Sequence, residues 1–396
     1  MTAVLVFSVS LLAAVLLSTL AHRSVVSTAV LFLAVGAAFG SVGWDVLHVH
    51  PTDPLVREFA LLALFSILFS DGMRVSVSDL VGAWRLPGRA LLVGLPLTIG
   101  ATAVLARLAV GLPWAESLLL GAVLSPTDPV FAAAIVGREE IPARLRQLLN
   151  VESGLNDGLA LPVVVVLLAV VGHGHVDVVH LLGDLLLGIG IGVAVPTAAV
   201  WLEKRDAIGA TTQYQPLGVL AVGLIVLAVC SLTGGNEFLG AFSAGITVAT
   251  LSPAMRDAFH HLGEQLAELL KLAAVMLFAA VVSPQILASV SGRGWIFAAL
   301  ALFAARPAAL EIALVASPLS WEERAVAAWF GPKGFASVVY GLLVLEGRSA
   351  RAGQLFALVA VVVAASIVAH SSTDVLVARW YAKRPPPPTP DLGADR

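Results

Sequence analysis

Apolar runs long enough to cross a bilayer, about 20 residues each, recur from the first residues to about position 380 and are separated by short polar connectors. They predict thirteen helices over 2–20, 24–43, 54–70, 88–110, 114–136, 144–171, 178–202, 216–233, 237–252, 262–288, 294–315, 322–346 and 354–380. The expected fold is therefore an all-α polytopic membrane protein, a single transmembrane domain over 1–380. It divides into two six-helix halves, about 1–171 and 216–380, joined by the helix at 178–202 and read as inverted repeats. The proline-rich stretch 381–396 is expected to be a short disordered cytoplasmic tail.

The informative positions are those that break this pattern. Val151-Glu152-Ser153-Gly154-Leu155-Asn156-Asp157-Gly158 opens an otherwise apolar helix. Ser153 and Asp157 are four residues apart and share a face; Glu152 and Asn156 form a second such pair, turned by about 100°. A carboxylate at bilayer depth costs several kcal/mol unless paired, hydrated or neutral, so it points to function. The alternative is a buried polar cap that fixes helix packing.

Two further runs contain helix breakers. In Ser125-Pro126-Thr127-Asp128-Pro129 the prolines remove backbone donors and disfavour helix at the residues before them. This frees carbonyls beside the Thr127 hydroxyl and the Asp128 carboxylate. Gly331-Pro332-Lys333-Gly334 interrupts the twelfth span in the same way. If the halves are inverted repeats, these two helices are symmetry mates, and corresponding interruptions are the best sequence pointer to a transporter's site. Lys333 is placed to neutralise carbonyl ends at the crossing while Asp128 faces amide ends.

Isolated charges complete the set. Arg306, at mid-depth in its helix, needs a carboxylate, and Glu152 is the candidate, which makes Glu152 structural. Lys271 follows Glu264 and Glu268 near the predicted start of the tenth helix, where snorkelling accounts for it. Asp71 ends the third span, either lining an ion passage or as a solvated helix end.

Composition narrows the function. The 396 residues are 59% hydrophobic and only 12% charged, where soluble domains carry about 25% charged residues. No basic patch with interleaved aromatics suggests nucleic acid. The single cysteine, Cys230, lies in an apolar run and reads as inert packing. Residues 2–20 lack a positive leading region and read as a retained helix rather than a signal peptide. Alternate connectors hold Arg23, then Arg74, Arg85 and Arg89, then Arg138, Arg144 and Arg146, then Lys204 and Arg205, Arg256, Arg324, and finally Arg379, Lys383, Arg384 and Arg396; the opposite connectors hold Arg293, Arg348 and Arg351. The positive-inside rule puts the N-terminus outside and the C-terminus in the cytoplasm. The histidine pairs His48/His50, His173/His175 (with Asp177 and His180) and His260/His261 lie at predicted span ends on different sides and read as surface residues, not zinc ligands. No hydrolase or nucleotide motif occurs in a suitable context, and Ser153 has no histidine predicted at its depth, so an enzyme is not expected.

Together, Thr127-Asp128-Pro129, Glu152-Ser-Gly-Leu-Asn156-Asp157-Gly158, Arg306 and Gly331-Pro-Lys-Gly334 resemble the monovalent cation/proton antiporters, in particular the NhaP-type sodium/proton antiporters related to the NHE exchangers. The resemblance runs from about residue 55 to 345. It implies an NhaA-like fold of thirteen helices with two crossing broken helices, a mobile core and a separate dimerisation domain in a homodimer of the bacterial inner membrane. By position, Asp157 is the carboxylate that binds either cation or proton, with Ser153, Asp128 and the Thr127 carbonyl completing the shell for Na⁺. Asn156 is expected to hold the crossing helices, and Asp71 falls where some members place a carboxylate near the ion route. Many relatives show Gly-Leu-Arg-Gly where this chain has Gly331-Pro332-Lys333-Gly334. The Asn-Asp pair implies electroneutral exchange of one cation for one proton, with no cofactor. A cation channel or ion-coupled symporter on a similar scaffold is the alternative.

Overall fold

The computed structural model describes residues 1–16, 28–50, 53–76, 85–128, 141–173, 178–205, 211, 213–347 and 349–383. Every regular element among them is a helix: α1 (Thr2–Leu16), α2 (Thr28–Phe39), α3 (Pro54–Met73), α4 (Arg85–Val110), α5 (Trp114–Val123), α6 (Ala143–His173), α7 (Val178–Glu203), α8 (Gln215–Thr233), α9 (Glu237–Leu251), α10 (Pro253–Val281), α11 (Pro284–Ser289), α12 (Gly292–Ala313), α13 (Trp321–Trp329), α14 (Phe335–Glu346) and α15 (Ala352–Ala382). The tail from 384, Arg23, Arg138, Pro129, His175 and Asp177 lie outside the described residues. Among the described residues six helices, α4, α6, α7, α8, α12 and α15, are long and apolar enough to cross a membrane.

Packing sorts these helices into two bundles. In the first, α9 lies against α3, α7 and α8, while α10 lies against α2, α3 and α8. In the second, α5 packs on α4 and α6, α12 on α4 and α13, and α14 on α15. Each sequence half contributes to both: α1–α3 and α8–α10 to the first, α4–α6 and α12–α15 to the second. The seam is made by α3, α9 and α10 meeting α6 and α14, and by α2 meeting α15.

Small residues set the closest crossings, since helices in lipid associate through close packing rather than through a hydrophobic drive. Gly72 of α3 and Gly245 of α9 face one another, and a Cβ on Gly245 would sit 2.3 Å from the Phe69 carbonyl oxygen. At the seam, a Cβ on Gly158 of α6 would meet the Phe242 ring of α9 at 2.6 Å.

The main departure from the sequence expectation concerns the tenth helix. It begins at Pro253, with the Ser252 hydroxyl accepting from the Met255 amide at 3.4 Å, and not at 262. Ser-Pro at N-cap and N1 is a strong start signal. Lys271 thereby moves from a helix start to the middle of a 29-residue helix, fully inside the protein. The snorkelling account of this residue is incorrect.

Candidate functional site

The two runs of helix breakers meet. α5 ends at Val123 and the chain runs without helix through Ser125–Asp128; α13 ends at Trp329, and Phe330–Gly334 separates it from α14. The Asp128 amide donates to the Pro332 carbonyl at 2.9 Å, joining one break to the other. Gly334 gives Asp128 its place: a Cβ there would lie 2.1 Å from the Asp128 Cβ. The Lys333 ammonium reaches the Ser125 carbonyl at 3.4 Å, beside the carbonyl end of α5, and its amide donates to the Ser366 hydroxyl at 2.7 Å.

Arg306 serves the other carbonyl end. Its Nη1 donates to the Ala327 and Ala328 carbonyls of α13 at 2.9 and 3.0 Å, while its Nη2 lies 2.7 Å from both carboxylate oxygens of Glu152. Gly331 leaves room for that side chain, since a Cβ there would fall 2.0 Å from the Arg306 Nε. A buried charge left unpaired is strongly destabilising, and here the guanidinium is paired with Glu152 while its Nη1 caps α13.

Above the crossing, α6 presents the Ser153–Asp157 face. The Asn156 amide donates to the Thr127 hydroxyl at 2.6 Å, and that hydroxyl lies 3.1 Å from the Ser153 hydroxyl. Asp157 is buried, and its Oδ1 has no hydrogen-bond partner among the described residues. The Tyr340 hydroxyl donates to the Asp157 backbone carbonyl at 3.0 Å and leaves the carboxylate itself untouched. Buried polar oxygens are nearly always satisfied, so the unpartnered Asp157 Oδ1 stands out in this part of α6.

Asp71 faces the same region from α3. It is buried, with Arg74 Nη1 3.3 Å from its Oδ1, so it is not a solvated helix end. Lys271 comes from α10 and places its ammonium 3.1 Å from the Asp128 Oδ1, with both side chains at most 5% exposed. Asp71, Asp128, Lys271 and Arg74 all act electrostatically on Asp157. The site therefore assembles all nine residues singled out in the sequence, Asp157, Ser153, Asp128, Thr127, Asn156, Glu152, Arg306, Lys333 and Asp71, around one crossing, with Asp71 on the far side of the seam. Three contributors were missed: Lys271, assigned to a helix start, Arg74, counted only for topology, and Ser366, which looks like any polar residue in an apolar run. Only the first carried a usable signal, the Ser252-Pro253 start.

Comparison with known proteins adds the chain's relatives and its fold. The chain is 24% identical over 385 residues to a protein named K(+)/H(+) antiporter NhaP2 from Shewanella oneidensis, covering 95% of this chain and 66% of that protein. It is 24% identical over 384 residues to one named K(+)/H(+) antiporter NhaP from Alkalimonas amylolytica, covering 95% and 66%. The chain thus spans about two thirds of the length of these relatives. Its fold matches the solved structure of the sodium proton antiporter MjNhaP1 from Methanocaldococcus jannaschii with a TM-score of 0.78 at 17% identity, over 97% of this chain and 99% of the other. The family model described as sodium/hydrogen exchanger, transmembrane, matches residues 9–380. With that match extending over nearly its whole length, the chain belongs to the sodium/hydrogen exchanger family.

Proposed function

We propose that this chain exchanges a monovalent cation for a proton, one for one, through competition at Asp157. The observation that carries this reading is the buried Asp157 carboxylate with an unpartnered oxygen at the crossing of two interrupted helices. In this reading Ser153 and Thr127, whose hydroxyls lie 3.1 Å apart, supply neutral oxygens to the cation, and Asp128 adds its charge. A hard cation wants several oxygen ligands, and a proton wants one carboxylate; the two cannot occupy Asp157 together.

Charge neutrality then couples the two movements. A bare carboxylate is costly to carry across an apolar barrier, so the second bundle moves against the first only when Asp157 holds a cation or a proton. Asn156 ties α6 to the first break, and Glu152 with Arg306 ties α6 to α13, so that the crossing moves as one piece. Relatives are named for sodium and for potassium, and oxygen ligands accept both; Na⁺ is the substrate favoured here, with Li⁺ and K⁺ as the competing cases. The protein is placed in the bacterial inner membrane as a homodimer, N-terminus outside and C-terminus in the cytoplasm.

The test is cation-induced dequenching of a pH-sensitive dye in inside-out vesicles. Na⁺, Li⁺ or K⁺ dissipates the proton gradient with the parent protein and not with Asp157→Asn. Because protons compete for the same carboxylate, the apparent KM for the cation rises as the pH falls. A channel instead gives voltage-driven cation flux that leaves the proton gradient intact. Proton movement unaffected by Asp157→Asn would overturn the proposal.

A further inference from the structure

Helix α15 holds the second break at two points. The Ser366 hydroxyl accepts from the Lys333 amide at 2.7 Å, and the His370 Nε2 lies 2.9 Å from the Trp329 carbonyl oxygen. The His370 Nδ1 lies 3.1 Å from the Ser366 hydroxyl and 2.8 Å from the Ser366 carbonyl oxygen. Both side chains are at most 1% exposed, and the Trp329 ring leans on the imidazole with centroids 4.8 Å apart. A neutral imidazole carries one N–H. On Nε2 that hydrogen serves the Trp329 carbonyl and leaves Nδ1 to accept from the Ser366 hydroxyl. On Nδ1 it would turn a bare Nε2 towards an oxygen, so the first arrangement is the one that uses every group.

The contact at Lys333 reaches beyond the second break. A planar trans peptide points its N–H and its C=O in opposite directions. The peptide between Pro332 and Lys333 gives its N–H to Ser366 and takes the Asp128 amide on its C=O, at 2.9 Å. That amide belongs to the peptide between Thr127 and Asp128, whose other end is the Thr127 carbonyl. From this carbonyl to Trp329, donors and acceptors run head to tail through two peptides, one hydroxyl and one imidazole. Hydrogen bonds in such a chain polarise one another, and burial strengthens each of them.

We infer that Ser366 is a positioning residue for the cation: through the two peptides it holds the Thr127 carbonyl in place, with His370 fixing the direction of its hydroxyl. The inference rests on the antiport reading, in which that carbonyl is a cation ligand, and adds two residues of α15 that touch no ion. A cation on the carbonyl draws electron density along the chain, so the bonds tighten when the site fills. Losing the Ser366 oxygen therefore weakens cation binding and leaves the movement of the loaded protein intact. A pair that merely pinned α15 to α13 would do the reverse, lowering stability and rate with KM unchanged.

The experiment is dye-monitored exchange in proteoliposomes at alkaline pH, where protons compete least, with Na⁺ as the probe and Li⁺ and K⁺ in parallel. If the parent exchanges none of them, the antiport reading itself fails before any variant is made. In Ser366→Ala the apparent KM for the exchanged cation is expected to rise about fivefold, the worth of one neutral hydrogen bond, with the maximal rate within about twofold of the parent. His370→Phe keeps a ring and removes the acceptor for the hydroxyl; its KM is expected to rise by a smaller factor. The control is Ser371→Ala, since Ser371 is equally buried on the same helix and its hydroxyl has no partner among the described residues. A parent-like KM in Ser366→Ala or His370→Phe overturns the inference, as does a loss confined to the maximal rate. An equal rise in Ser371→Ala overturns it too, because any buried hydroxyl would then serve. Should Ser366→Ala not fold, Ser366→Cys, close in size and a weak acceptor, decides by the same criteria.

Discussion

Helices α5 and α13 are alike at their outer ends and opposite at their inner ends. Each begins Trp-x-Glu: Trp114-Ala115-Glu116 in α5 and Trp321-Glu322-Glu323 in α13. Each glutamate is buried and bound to an arginine at the start of the last helix of the other sequence half: Glu323 to Arg144 of α6, and Glu116 to Arg351, which precedes α15. At the crossing the likeness ends. The first break carries an acid, Asp128, and the second a base, Lys333, each seated against the other break. The repeated part is scaffold, and the divergent part is chemistry. Two copies of one half-helix frame bring opposite charges to one point, which a symmetric sequence could not do.

Substitutions at four positions probe that comparison. The largest effect is expected from Arg306→Ala, which strands the buried Glu152 and uncaps α13; about 3–5 kcal/mol of stability is lost, read as a large fall in thermal unfolding temperature in detergent. Arg306→Lys, which cannot span Glu152 and two carbonyls together, should recover only part of it. Next is Gly334→Ala, whose methyl must displace Asp128. An overpacking cost of about 1–3 kcal/mol is expected, with exchange falling more steeply than stability because the displaced residue belongs to the site. Finding parent-like exchange in this variant would show that the contact between the breaks is not needed for transport.

The outer clamps test the likeness itself. Arg144 grips Glu323 through two bonds of 2.8 and 2.7 Å and also donates to the Pro318 carbonyl. Arg351 meets Glu116 at 3.4 and 3.2 Å, with Ser349 Oγ sharing the load at 3.1 Å. Both arginines are about half exposed, at 50% and 49% of the side chain, so water screens each pair. Arg144→Ala is expected to cost about 1–2 kcal/mol, and Arg351→Ala under about 1 kcal/mol. Equal losses in the two unfolding measurements would mean that bond geometry does not separate the clamps.

Backbone features were the most legible from the sequence. Apolar runs and breakers act within one or two turns, so the helices and both interruptions were readable from local order. The Glu152–Arg306 contact was readable too, although 154 residues separate the pair, because a mid-depth arginine has few carboxylates to choose from. Lys271 was not. Glu264 and Glu268 lie within two turns of it and supplied a local explanation, while its real partner is 143 residues away. The two-bundle arrangement was equally hidden, since helix faces that are apolar all round do not name their neighbours.

By itself, then, the sequence determined an all-helical membrane protein, the places where two helices break, and the unusual residues at bilayer depth, because backbone donors and solvation energies are properties of each residue and its near neighbours. Only the tertiary structure decided which charge neutralises which. That choice depends on distances of a few ångströms between helices remote in the chain, and in a medium that punishes every unpaired charge it sets how much charge is left for an ion to cancel.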